Sequence, residues 1–205
     1  MSHPIVVAFT GGSGPGYGRR LVEVLLELQQ PVHLTISPAA TKVIEHELDI
    51  SIDLKGFAPE LFWPGKQALF SNLHYSHYQD FMTPMASGSF LTRGMVICPC
   101  SGATLSAAAN GNSRNLIERA AEVHLKESRK LILVQRETPL SLPTIENMRK
   151  AKLAGAVILP AMPAWYHGDQ SVTGLIDFVV ARILDQLNIE HHLIKRWGEG
   201  IENGD

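Results

Sequence analysis

A doubly wound α/β domain, with one mostly parallel sheet between helical layers, is the fold class the sequence predicts. Three observations predict it. Short apolar runs alternate with longer amphipathic ones along the chain. The short runs lack the in-out alternation of half-exposed strands, as parallel strands covered on both faces should. And 205 residues, 45% hydrophobic and 19% charged, suffice for one core without a second. A single domain over residues 1–188 is expected, with residues 189–205 a polar C-terminal tail that is either frayed or docked on a neighbouring subunit.

Pro4–Thr10 reads as the first strand, and a glycine-rich run leads from it into a helix over Tyr17–Leu28. Val32–Ser37 is the second strand and Ala40–Leu48 the second helix. Residues 50–93, rich in Phe, Pro, His, Tyr and Ser, break the alternation and predict an irregular excursion, a kind of long loop often given to function. The pattern resumes with strand Gly94–Cys98, a helix opened by the small residues after it, and helix Leu116–Glu127. Strand Lys130–Gln135, helix Thr144–Ala154, strand Ala156–Leu159 and helix Leu175–Leu187 complete it. Strands separated by helices pair in parallel through right-handed crossovers, a Rossmann-like or flavodoxin-like arrangement.

Composition narrows the function classes. With 18 Lys and Arg against 20 Asp and Glu, and no long run of either sign, nothing attracts nucleic acid or an anionic membrane. Cys98 and Cys100 flank one proline, too close in sequence to converge as a disulfide. No apolar stretch approaches a membrane span, and Met1 to Pro4 lack the basic start of a secretory signal. A cytoplasmic enzyme or binding protein is expected.

Ligands of such sheets sit beyond the carboxyl ends of the strands, so the residues there are the candidates. Gly11-Gly12-Ser13-Gly14-Pro15-Gly16-Tyr17-Gly18 precedes a helix whose free N–H groups favour an anion, phosphate above all. The dinucleotide pattern G-x-G-x-x-G and the G-x-x-x-x-G-K-[ST] loop are both absent, and the second strand ends in Ser37 rather than an acidic residue. A glycine-rich tight turn without a ligand accounts for the run equally well. Pro99-Cys100-Ser101-Gly102-Ala103-Thr104 offers small residues that let a ring or phosphate approach the backbone, while Ser101 and Thr104 also suit a helix cap. The two thiols read as small apolar residues, and no histidine spacing implies a metal.

Arg119 and Lys126 fall on one helix face as an anion clamp, or belong to a solvated face on which Glu122 pairs with Lys126. Arg136-Glu137 ends a strand where the ligand crevice should lie, offering a planar fork and a proton carrier. Pro163, Trp165, Tyr166 and His167 follow the last strand and supply aromatic faces and a hydroxyl.

In order along the chain, Gly11 to Gly14 with Tyr17-Gly18, Ser87-Gly88-Ser89, Pro99-Cys100-Ser101 with Thr104-Leu105, Glu118-Arg119-Ala120-Ala121, Arg136 to Leu140 and Pro163 to His167 resemble the flavin prenyltransferases. The resemblance continues through Arg182 and Arg196-Trp197-Gly198. It implies transfer of a dimethylallyl group from dimethylallyl monophosphate to N5 and C6 of reduced FMN, without a metal. The product, prenylated FMN, would pass to a partner decarboxylase.

Gly11, Gly12, Ser13, Ser37, Ser101, Gly102, Ala103, Thr104 and Arg136 would then bind FMN. Ser87, Gly88, Arg119, Lys126, Arg136, Tyr166, Arg182 and Trp197 would bind the donor, some of them from an adjacent subunit of a homo-oligomer, a dodecamer in the family. Glu137 and Glu47 would move protons, and Ser13 and Lys126 stand with them as catalytic candidates. The chain departs from the family pattern in the Gly-Gly-Ser-Gly-Pro-Gly turn, in Pro38, in Trp165 and in the histidine missing from Leu142-Pro143-Thr144-Ile145. An FMN-dependent decarboxylase of the cysteine type, or a flavin carrier, is the alternative; the former expects an Asn that Pro99 to Thr104 lacks.

Overall fold

A computed structural model describes residues 3–166 and 168–196. Six strands form one parallel sheet in the order β3-β2-β1-β4-β5-β6: β1 Ile5–Phe9, β2 Val32–Ile36, β3 Leu73–Tyr75, β4 Gly94–Cys100, β5 Leu131–Gln135 and β6 Val157–Ile158. The order reverses between β1 and β4, which makes the space beyond their carboxyl ends the ligand crevice of a Rossmann-type sheet.

Alternate residues of each strand feed two cores. Ile5, Val7 and Phe9 join Val96, Ile132 and Val134 under α1 (Pro15–Glu27) and α7 (Val172–Gln186). Val6 and Ala8 join Met95, Ile97, Leu131 and Leu133 under α4 (Gly102–Asn110), α5 (Leu116–Lys126) and α6 (Leu142–Leu153). Both faces being covered is why these strands read as unbroken apolar runs.

Helices α1, α2 (Pro38–Leu48) and α6 begin two residues before their predicted starts, and α7 begins three before. Pro15, Pro38 and Pro143 sit in the first turns of α1, α2 and α6, where the missing N–H is no loss, so they open helices that the sequence pattern placed after them. The 50–93 excursion is largely irregular, as expected. It also contains α3 (Pro59–Phe62), two 3-10 turns and the unpredicted edge strand β3, whose three residues are too short for a legible period.

Residues 189–196 lie on the protomer's own core through Ile189, Leu193 and Ile194. The rest of the expected docking tail, with Trp197, lies outside the described residues, as does His167. Among the described residues no helix is long and apolar enough to cross a membrane, and no three His, Cys, Asp or Glu side chains converge as a metal site.

Candidate functional site

The crevice at the strand reversal is built around a buried threonine. The Thr10 hydroxyl donates to the Pro99 carbonyl at 2.7 Å and accepts from the Ser101 N–H at 2.8 Å, tying the end of β1 to the end of β4. A register irregularity between Ile97 and Cys100 moves Cys100 to the opposite face from Cys98, and the Cys98–Pro99 peptide is cis. Ser101 then caps α4 by accepting from the Thr104 N–H, and Ser37 caps α2 by accepting from Ala40 N–H at 3.1 Å. The cap reading of Ser101 and Thr104 is therefore realised without closing the crevice, since a Cβ at Gly102 would meet nothing within 4 Å.

Helix α1 differs. Its cap is Gly14, at φ 92° with no side-chain cap, so its first turn keeps donors for a ligand. A Cβ on Gly12 would come within 3.2 Å of Pro99, and one on Gly18 within 2.2 Å of the Cys98 carbonyl oxygen, so α1 packs tightly onto the end of β4. Glu47, from the last turn of α2, accepts from Gly14 N–H at 2.9 Å and so reaches the same loop. The Arg136 side chain passes 3.9 Å from where a Gly14 Cβ would lie, next to Tyr17. Burial raises the Tyr17 pKa, Cys98 adds to this and the Arg136 charge opposes it. Glu137 lines a small recess with Leu140, Met148 and Met162 beside this rim.

Gly11, Gly12, Ser13, Ser37, Ser101 to Thr104, Arg136, Glu137 and Glu47 thus belong to one rim of the sheet. Thr10 and Tyr17 belong there too, and sequence reasoning assigned them no role. The available signal was a polar residue closing the apolar run Ile5 to Phe9.

Arg119 and Lys126, with Ser87 and Gly88, do not join them. Ser87 and Gly88 precede β4, and Lys126 precedes β5, which places all three at the amino ends of the strands. The seven residues of β4 separate that rim from the crevice by about 20 Å. There, Lys126 Nζ stands 3.0 Å from where a Gly88 Cβ would be, and two turns back toward the start of α5 Arg119 Nε donates to Ala86 O at 3.1 Å. The anticipated Glu122–Lys126 pair is replaced: Glu122 binds Arg119 at 2.9 Å and accepts from the Ser113 hydroxyl at 2.6 Å, while Lys126 holds Glu127 at 2.6 Å.

Tyr166 and Arg182 form a third group. The Tyr166 ring meets Phe178 edge-on with centroids 5.7 Å apart, and one turn further along α7 Arg182 pairs with Asp185 at 2.8 Å. Phe178 and Arg182 line a groove of about 210 Å³ beside the edge strand β6, with Pro160 and Met162. Within one protomer, then, the candidates form three groups.

Cys98 and Cys100 are fully buried free thiols, and burial pushes Cys100 up to about 12. They act as the small apolar residues the sequence implied.

The model of the family described as Flavoprotein matches residues 1–184. The chain is 48% identical over 204 residues to flavin prenyltransferase UbiX of Pseudomonas aeruginosa, covering 97% of each protein, and 46% identical to that of Halalkalibacterium halodurans, covering 96% of this chain and 94% of the relative. Among solved structures it is similar to AnUbiX (PadA1) in complex with FMN and dimethylallyl pyrophosphate, at TM-score 0.84 and 36% identity over 97% of this chain and 98% of that one. It also matches a dodecameric FMN-dependent UbiX-like decarboxylase from Escherichia coli O157:H7, at TM-score 0.82 and 35% identity over 95% and 98%. An FMN-dependent cysteine decarboxylase, TvaF, shares the fold alone, at TM-score 0.59 and 16% identity over 92% of this chain and 99% of that one.

Proposed function

The chain belongs to the Flavoprotein family and, within it, to the flavin prenyltransferases, and from that membership we propose the reaction and the role of each rim. The protein transfers a dimethylallyl group from a dimethylallyl phosphate to reduced FMN. The observation that carries this reading is the crevice between β1 and β4, clamped by Thr10, lined by Gly12 and open above Gly102.

That crevice fits FMN. The uncapped first turn of α1 offers backbone N–H groups to the phosphate, and the small side chains of Ser101 to Thr104 leave room for a flat ring against the backbone. Arg136 stands beside Tyr17 with a planar fork for a flavin carbonyl or a phosphate. Reduced FMN supplies the electron-rich N5 and C6 positions at which the new bonds form.

At the donor, the bond from the allylic carbon to oxygen breaks and phosphate departs with its electron pair. Arg119 and Lys126, with Ser87 and Gly88, are assigned to hold that anion, joined by Arg136, Arg182 and Tyr166. Because Lys126 and Ser101 stand at opposite rims of a protomer, a complete site needs the amino rim of a second copy, which supports a homo-oligomer with sites between subunits. Aromatic faces such as Tyr166, together with Trp197, would shield the allylic cation from water. Glu137 is assigned to carry protons: N5 loses one as it bonds the allylic carbon, and ring closure at C6 breaks the alkene π bond, which gains one proton while C6 loses one. Glu47 already accepts from Gly14 N–H, so it positions the loop as well as standing near the proton path.

The prenylated FMN would be released to a decarboxylase that uses it. Anaerobic incubation with reduced FMN and dimethylallyl monophosphate or diphosphate, followed by mass spectrometry of the flavin, tests the reading. A flavin enlarged by one C5 unit is expected; an unchanged mass with both donors refutes it.

A further inference from the structure

The amino rim already contains an anion. Glu127 Oε1 lies 2.6 Å from Lys126 Nζ and 2.4 Å from where a Gly88 Cβ would stand. One carboxylate oxygen therefore fills the gap between Gly88 and Lys126, two groups assigned above to the same phosphate. The other oxygen is 4.0 Å from Arg129, whose guanidinium donates to Phe90 O at 2.7 Å and to Gly88 O. Arg129 thus fixes the backbone of the 88–90 loop against the end of α5, and Glu127 is held on the side of that loop that faces Lys126. The charged groups of this cluster are Lys126, Arg119 and Arg129 on one side and Glu127 and Glu122 on the other.

Resting on the prenyl-transfer reading, we propose that Glu127 determines how strongly the donor's phosphate is held. It is a resident carboxylate that occupies the anion position beside Lys126 and has to leave it before phosphate can bind. The ion pair with Lys126 is exchangeable, because both side chains are substantially exposed, 46% for Lys126 and 35% for Glu127. A phosphate entering the gap would face a like charge a few ångströms away, so the carboxylate weakens binding of donor and of inorganic phosphate alike. When phosphate leaves, Glu127 returns to Lys126, which favours product release over product inhibition.

The test is calorimetric titration of inorganic phosphate into the full-length assembled protein, comparing wild type with Glu127→Gln and Glu127→Ala, alongside KM for dimethylallyl phosphate. Removing one screened like charge at this range is expected to tighten phosphate by about fivefold in both variants, with KM falling in step. The gain should shrink as salt rises. Phosphate affinity that is unchanged or weaker in both variants overturns the proposal, and means that Glu127 serves the subsite by holding Lys126 in place. The two readings fail separately. Tighter phosphate in the variants of a protein that never alters the flavin sinks prenyl transfer and leaves the anion position standing. Prenyl transfer without tighter phosphate sinks this inference alone.

Discussion

The two rims of the sheet are built by different means. At the carboxyl rim, position is set by backbone: Thr10 binds Pro99 and Ser101 from inside the protein, Ser37 and Ser101 cap their helices, Gly18 allows a contact that no side chain could, and Gly12 allows one that a side chain would crowd. At the amino rim and along α5, position is set by ion pairs near the surface, Lys126 with Glu127 and Arg119 with Glu122, which contribute little to folding. Changes at the first rim should therefore register in stability before they register in chemistry. Changes at the second should do the reverse.

Lys126→Ala breaks this comparison most directly. Loss of one cation from the leaving-phosphate site should lower prenyl transfer by about two to three orders of magnitude, while the melting temperature and FMN retention stay at wild-type values. The measurement is single-turnover mass analysis of the flavin beside a thermal melt. A variant that also loses FMN would show that the rims are not independent.

The amino rim has one buried element, and it should behave as the exception. His124 lies on the buried face of α5, its Nδ1 2.7 Å from Ala120 O and its Nε2 2.8 Å from Thr92 Oγ1. A carbonyl only accepts, so Nδ1 carries the proton and the neutral ring accepts from the threonine hydroxyl. Burial lowers its pKa from 6.5 to about 4, against a smaller opposing contribution from the Ala120 bond. The unfolded chain takes up a proton at 6.5 and the folded one only near 4. The stability His124 contributes is therefore complete above pH 6.5 and is lost as pH falls toward 4. The loss should approach about 3 kcal/mol, and urea titrations across that window should show a shallower fall in His124→Gln than in wild type.

Thr10→Val tests the carboxyl rim. It keeps the shape but leaves the Ser101 N–H without its partner, and should cost about 2 kcal/mol in urea unfolding together with weaker FMN retention. Unaltered stability would show that this rim is less rigidly specified than its hydrogen bonds imply.

What was legible in the sequence follows the same division. Strands such as Ile5–Phe9 and Leu131–Gln135 announced themselves because burial on both faces leaves an unbroken apolar run. Strand β3 did not, because three residues at a sheet edge carry no period. The glycine run and Arg136 could be placed beyond strand ends from pattern alone. Thr10 could not, since its importance lies in a bond to residues 89 and 91 positions away. Nor could pattern choose between partners for Lys126: Glu122 satisfies the helical spacing, yet Glu127 wins because α5 ends at Lys126 and the chain turns the next side chain back onto it.

The smallest expected effect sharpens the comparison furthest, because it asks whether the rims meet in the assembly. Lys126→Ala damages only the amino rim and Arg136→Ala only the carboxyl rim, so each alone should be nearly inactive. If every site takes one rim from each of two copies, randomly co-assembled variants contain sites in which both rims are intact. Half of the copies carry each intact rim, so about a quarter of wild-type activity should return. The readout is prenyl transfer by the co-expressed mixture against the two variants purified separately and combined without exchange, which should stay silent. If co-assembled protein is as silent as the separate variants, Lys126 and Arg136 act within one protomer, and the distance of about 20 Å along β4 would have to be closed by a rearrangement of α5 instead.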